Sequence, residues 1–307
     1  MELQAPTRLA IPARRVERVA VHGVLLLNKP RGLSSNDALQ KARRILHAKK
    51  AGHTGTLDPE AHGLLPLCFG EATKFSQDLL DADKTYEASV RFGIKTSTGD
   101  AEGEVIATRE VTHDQKALQL ACERFVGPID QVPPMHSALK QGGVALYELA
   151  RKGIEVERAA RRVQIHAIEV LSQTPDSAVL RCHVSKGTYI RTLAEDIGEA
   201  LGCGAHLTAL YRTQVGPLSV ADAVTLEQLS AVQNPAALLA PVDSLAQGLH
   251  AVRLSENEQD RVRQGQRLII TDDFDGTVRM YGPDGFLGIG QLHQRRLQPT
   301  RVLNLKE

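Results

Sequence analysis

Three stretches of this chain carry side chains that could do chemistry. The first is Gly52-His53-Thr54-Gly55-Thr56-Leu57-Asp58-Pro59. Gly52 and Gly55 permit backbone angles that other residues resist, so the segment is expected as a turn or loop. Asp58 precedes Pro59, which pushes it toward an extended conformation and presents its carboxylate from rigid, non-helical backbone. A carboxylate with one neighbouring histidine can be base, nucleophile, metal ligand or turn cap, and local chemistry leaves these open. The apolar run Gly63-Leu64-Leu65-Pro66-Leu67 that follows is expected to be buried and to anchor the loop from behind. The second stretch is Ser185-Lys186-Gly187-Thr188-Tyr189-Ile190-Arg191, where a strand ends at a glycine turn beside an aromatic, a hydroxyl and a guanidinium. The third is residues 84–92, whose alternation puts Tyr86, Ala88, Val90 and Phe92 on one side of a half-buried strand. Tyr86 there is either a packed core residue or an aromatic platform.

The elements that must position these groups follow from pattern. Residues 21–28 read as a buried strand. Ser34 and Asp37 stand at capping-box spacing before a helix whose apolar face is Leu39, Ala42, Ile45 and Leu46 and whose remainder is basic. That helix leads directly into the Asp58 stretch. Helices are expected over 72–80, 112–125, 146–151 and from Ile190 to a stop at Gly202, with strands over 84–92, 104–108, 163–171 and 178–184. Residues 222–245 read as helix and connector. From about Leu249 the character changes to a short polar helix over 255–265 and strands over 267–270, 276–281 and 286–291, the last two joined by a Gly-Pro-Asp-Gly turn. Arg295, Arg296 and Arg301 are read as a basic tail.

Length and composition bound the class. A chain of 307 residues with 42% hydrophobic and 24% charged content has room for two folded units and an ordinary core. No apolar run is long enough for a membrane span or a signal-peptide core, so the cytoplasm is the expected compartment. The four cysteines are scattered without a Cys-x-x-Cys pair, and the 11 histidines show no ligand spacing with them, which argues against disulfides and structural zinc. The net charge of +1 does not mark an RNA binder, but positions 11–50 hold ten Lys or Arg against Glu17 and Asp37, a local excess suited to phosphates. A second basic cluster comprises Arg151, Lys152, Arg158, Arg161 and Arg162.

His53-Thr54-Gly55-Thr56-Leu57-Asp58-Pro59 with Gly63-Leu64-Leu65 and Gly70-Glu71-Ala72-Thr73-Lys74 resembles the signature of the bacterial tRNA pseudouridine synthase B (TruB) family. The resemblance extends to Leu27-Asn28-Lys29-Pro30-Arg31-Gly32, Lys186-Gly187-Thr188-Tyr189-Ile190-Arg191 and the segment from His206 to Gly216, and so runs nearly the whole chain. It implies an α+β (mixed) catalytic domain on a largely antiparallel central sheet over 19–248, a small, mostly β PUA-like RNA-binding domain over 249–307, and a basic flexible leader over 1–18. It implies isomerisation of uridine 55 in the tRNA T loop. That reaction breaks the N1–C1′ bond, turns the base and joins C5 to C1′, with no cofactor, no metal and no required protein partner. Residue by residue, Asp58 would be the catalytic carboxylate, Tyr86 would stack on the flipped uracil, and Tyr189 would touch the base or the acid. Arg191 would pair with Asp58 and lower its pKa, Leu210 would close the pocket, His53 would hold the RNA loop, and Lys74 would pair with an acid or a phosphate. Two departures stand out: His136 and Tyr211 occupy places where the family commonly has Tyr and Arg. The rival readings are a synthase for another RNA and a non-catalytic tRNA-binding or folding protein. The first is disfavoured by Thr56-Leu57-Asp58 where ribosomal-RNA synthases carry Arg-Leu-Asp. The second would have no need of Asp58.

Overall fold

The computed structural model describes residues 17–137 and 139–304. Most of the expected leader, residues 1–16 with Arg14 and Arg15, lies outside the described residues. Among the described residues nine strands form the main sheet. In chain order they are β1 (Gly23–Lys29), β2 (Ala51–His53), β3 (His62–Phe69), β4 (Lys84–Phe92), β5 (Gly127–Gln131), β6 (Arg161–Gln173), β7 (Ser177–Val184), β8 (Ala205–Val215) and β9 (Leu218–Ser219). The path across the sheet is β1-β3-β8-β4-β7-β6-β5, with β2 on β3 and β9 on β8. Every pairing is antiparallel except β3 with β8, so the expectation of a largely antiparallel sheet is met.

Local sequence explains most of these elements. Helix α1 (Ser35–Ile45) starts where the Ser34 hydroxyl accepts a hydrogen bond from the Asp37 N–H, as the spacing anticipates. Ala38, Leu39 and Ala42 on its buried side meet Leu25, Leu27, Leu65 and Leu67 of β1 and β3. The run from Gly63 to Leu67 is wholly buried, and each fully buried leucine contributes about 1.5–3 kcal/mol. Helices α2 (Gln115–Arg124) and α3 (Ile190–Ala200) cover the opposite half of the sheet, where Leu118, Leu193 and Ile197 pack on Val90, Phe92, Leu180 and Ile165.

Several expectations need correction. Gly52 and His53 are not loop but strand, paired with Cys68 and Leu67. The helix expected over 72–80 is a 3-10 turn over Gly70–Phe75 followed by a helix over Ser76–Asp81. Strand β8 gives no local strand signal, because bulges at Leu207/Ala209 and Arg212/Gln214 break the period-two pattern that marks a strand. Strand β5 begins directly at Gly127, which reads locally only as a helix stop.

The C-terminal β domain is a five-stranded sheet of β10 (His250–Arg253), β11 (Leu268–Ile269), β12 (Gly276–Gly282), β13 (Gly285–His293) and β14 (Arg296–Val302), ordered β10-β12-β13-β14-β11. Helix α4 (Glu256–Arg263) opens with a full capping box between Ser255 and Glu258. Arg296 and Arg301 are therefore strand residues, not a tail, and Arg295 lies in the turn before them. The two sheets are sealed by one apolar cluster in which Ile289 and Phe286 meet Val24, Phe75, Val242 and Ala246.

Candidate active site

The parallel contact of β3 with β8 involves only His62/Tyr211 and Gly63/Arg212, so the two strands diverge from that point. Residues 54–61 fill the fork. This segment is held largely by backbone carbonyls turned toward two buried cations. Arg212, 1% exposed, donates from Nε to the Leu64 carbonyl at 2.8 Å and from its other nitrogens to the carbonyls of Gly55 and Thr56 at 3.3 and 3.5 Å. Lys29, fully buried, donates to the carbonyls of Pro30, Leu33 and Pro59 at 3.0, 2.6 and 3.2 Å. Burial holds the Lys29 ammonium down to about 8, against the pull of Glu60 and Asp58. From α1, the Ser35 hydroxyl accepts from the Leu57 N–H at 2.7 Å and donates to the Leu57 carbonyl at 2.9 Å. Leu57 and Ala61 are themselves core residues. Asp58 thus stands between two anchored neighbours.

Its carboxylate lies at one wall of a cavity of about 580 Å3 whose lining also includes Tyr86, Tyr189, Arg191, Leu210 and Asp100. Arg191, at the first turn of α3 and 7% exposed, joins both acids: one nitrogen reaches Asp58 Oδ2 at 2.8 Å and another reaches Asp100 Oδ2 at 2.7 Å. The same guanidinium donates to the carbonyls of Thr98 at 3.3 Å and His136 at 3.0 Å. The contact to residue 136 is made by backbone, so the histidine side chain there does not alter it. Tyr189 occupies the position before the first turn of α3. Its backbone is gripped by the buried Gln131, whose Oε1 accepts from the Tyr189 N–H at 2.7 Å while Nε2 donates to the carbonyl at 3.1 Å.

The electrostatics differ from the expected picture. Arg191 does favour the Asp58 anion, but the carboxyl pKa is raised, first by burial against protein, with Asp100 adding to the rise and Arg191 and Lys29 opposing it. The side chain remains 53% exposed through the mouth of the cavity, so solvent moderates this rise until a ligand covers it. Burial likewise raises the Tyr189 phenol.

Five of the seven residues singled out from sequence therefore meet at one cavity. His53 sits beside it on β2 rather than in its lining, with a pKa lowered by burial and by Arg212. Its Nδ1 is buried without a hydrogen-bond partner. Lys74 lies elsewhere, pairing with Glu71 at 2.6 Å and donating to the Val302 carbonyl at 2.9 Å, where it ties the main domain to the C-terminal sheet. Tyr211 stacks on His62, ring centroids 4.6 Å apart. Sequence reading missed Asp100, Lys29, Arg212, Ser35 and Gln131. Asp100 reads locally as one more acid in a Thr- and Gly-rich turn, and its pairing with Arg191 exists only across the fold. Lys29 and Arg212 sit in motifs that carry the family resemblance, but a charged residue gives no local sign that it will be buried.

Comparison with known proteins gives a consistent set of likenesses. The family model described as "TruB family pseudouridylate synthase (N terminal domain)" matches residues 43–190. Those described as "tRNA pseudouridylate synthase B C-terminal domain" and "Pseudouridine synthase II TruB, C-terminal" match residues 191–247 and 251–303. The tRNA pseudouridine synthase B of Cupriavidus pinatubonensis (strain JMP 134 / LMG 1197) is 59% identical over 305 residues, covering 95% of this chain and 97% of that protein. The protein of the same name from Ralstonia pickettii (strain 12J) is 60% identical over 302 residues, covering 93% and 95%. Among solved structures, a chain of a Cbf5-Nop10-Gar1 complex superposes with a TM-score of 0.68 at 28% identity, covering 89% of this chain and 79% of that one.

Proposed function

Because this chain belongs to the TruB family of pseudouridylate synthases, we propose that it isomerises uridine 55 of the tRNA T loop through the Asp58 carboxylate. The observation that carries the reading is the Arg191–Asp58 pair beside a cavity large enough for one nucleoside. A stacked base is out of reach of that carboxylate, so the nucleotide is flipped out of the loop at a cost of a few kcal/mol. Tyr86 returns part of this by stacking on the uracil, a contact worth roughly 1–3 kcal/mol. Leu210 supplies apolar wall. Arg191 keeps Asp58 aimed at the ribose–uracil junction through a charge-assisted hydrogen bond, and Asp100 holds Arg191 from the other side. Tyr189, set by Gln131, borders the reacting base. Addition to C6, attack at C1′ and removal of a ribose proton all require the carboxylate at this same junction.

The substrate is tRNA, taken by the shape of its T arm. His53, half-buried with its pKa lowered, suits ring contact with the RNA loop better than a charge contact with phosphate. Residues 19–248 form the catalytic domain and 249–307 a PUA-like RNA-binding domain. No helix among the described residues is long and apolar enough to cross a membrane. The compartment that goes with a tRNA substrate in this reading is the cytoplasm.

The test is release of tritium from tRNA carrying 5-³H-uridine, since forming the C5–C1′ bond displaces the hydrogen at C5. Wild type releases tritium at one site, mapped to the T loop. Asp58→Asn binds the same tRNA but releases none. Equal release by the variant would remove Asp58 from the chemistry, and no release by folded wild type that binds tRNA would leave an RNA-binding protein.

A further inference from the structure

Outside the cavity, Asp83 just before β4, His166 within β6 and His183 near the end of β7 come together. One ligand atom of each lies within 4.8 Å of the others. Strand β7 puts Cys182 and Val184 into the core, so His183 between them points to the opposite face. Strand β6 reaches the same face through a bulge between Ile165 and Ala167, which leaves both His166 and Ala167 exposed and swings His166 toward His183. The two imidazole centroids are 4.6 Å apart at 37°. Asp83, just ahead of β4, has Oδ2 3.0 Å from His166 Nε2. That separation is close to the about 3.3 Å edge between two ligands of a tetrahedral zinc at ordinary Zn–N and Zn–O lengths.

The geometry points to a divalent transition-metal site made by His166, His183 and Asp83. A simple His–Asp ion pair accounts for one imidazole only. Among the described residues the His183 ring makes no hydrogen bond or ion pair; its one ring neighbour is His166. Two imidazoles with one carboxylate suit Zn²⁺, Ni²⁺ or Cu²⁺ and not Mg²⁺, which seeks oxygen ligands. The group faces solvent, so water completes the coordination shell. Tyr86 shares a sheet face with its partner Cys182, opposite to His183, so the ion is separated from Asp58 by the sheet and takes no part in the isomerisation. Its effect is to join β6, β7 and the entry to β4 at one point. Lys84, next to Asp83, and Ser185, two residues after His183, line the cavity, so an occupied site stiffens that rim. The spacing of histidines along the chain hides the cluster, because its members are neighbours only through strand pairing.

Isothermal titration of Zn²⁺ into tag-free full-length protein stripped with chelator tests this, with Mg²⁺ as the comparison ion. Wild type binds one Zn²⁺ per chain and no Mg²⁺. His166→Ala and His183→Ala each weaken that binding by about tenfold or more, as expected for loss of one ligand of three. Both positions are exposed, so metal-free melting temperatures stay at the wild-type value and report that the variants fold. Absence of a one-to-one Zn²⁺ event, or wild-type affinity in both variants, overturns the site and leaves Asp83–His166 as an ordinary ion pair. Equal binding of Mg²⁺ does the same, since it would place the ion on carboxylates elsewhere.

Discussion

In the proposed reaction Asp58 acts as a carboxylate, in a place that disfavours its charge. Burial raises its pKa from the ordinary 3.8, and Arg191 resists that rise. The acid limb of the kcat/KM profile for tritium release therefore falls at a higher pH than an ordinary aspartate would give. Arg191→Met removes the main opposing charge and leaves Asp100 as a neighbour, so the limb moves to still higher pH, which a pH series on both proteins measures. The same shift has a stability consequence. A folded-state pKa above the unfolded one means that the native state binds the proton more tightly. The associated stabilisation is complete below about pH 3.8 and is lost as the pH rises through the folded-state value. Asp58→Asn is thus expected to melt slightly above wild type at neutral pH, with the difference closing in acid. The effect is small because the carboxylate is still 53% exposed. A melting temperature below wild type at pH 7 would contradict this reading of the site.

The elements around Asp58 hold it through buried contacts that can be removed singly. Ser35 joins the first turn of α1 to both backbone polar groups of Leu57. Ser35→Ala leaves these groups without their partner and costs about 1–3 kcal/mol in urea unfolding. Because the loss falls next to Asp58, single-turnover rate drops while tRNA affinity is kept. Gly63 serves the fork itself. It sits at φ +104, and a Cβ there would stand 2.4 Å from the Arg212 carbonyl oxygen and 2.8 Å from its nitrogen. Gly63→Ala forces β3 and β8 apart at their paired residues, with an expected loss of about 3 kcal/mol or more, read from the same unfolding curves. An unaltered midpoint would show that the fork tolerates separation.

At the scale of the molecule, the two sheets share a core. Ile289, 5% exposed, packs into the cluster with Phe75, Val242 and Ala246, and around it Lys74 reaches the Val302 carbonyl, Glu71 the Asn304 N–H, and Arg301 pairs with Asp78. Surface pairs of this kind contribute little, so the apolar contact dominates the coupling. Ile289→Ala is expected to cost about 2–5 kcal/mol and to loosen the C-terminal sheet from the main one. In calorimetry the wild-type endotherm is single, and the variant's moves down and splits. A variant that shifts without broadening would mean that the domains unfold as one even with that cluster weakened.

Residue type and order alone determined much of this protein. The Ser34 cap, the alternation from Lys84 to Phe92, the Asp58-Pro59 pair and the helix from Ile190 to Gly202 are local signals, because hydrogen bonding and packing at those positions repeat with the period of a single element. Family likeness in the same motifs named the residues that meet at the cavity. Tertiary structure alone decided four further matters. It put Asp100 on Arg191, it buried Lys29 and Arg212 beneath the Asp58 loop, and it raised the Asp58 pKa where the arginine by itself argued for a fall. It also made β8 a central strand despite its two bulges. The reason is common to all of them: desolvation and charge pairing depend on which distant segments share a site, and a bulged strand is specified by its neighbours' hydrogen bonds rather than by its own alternation.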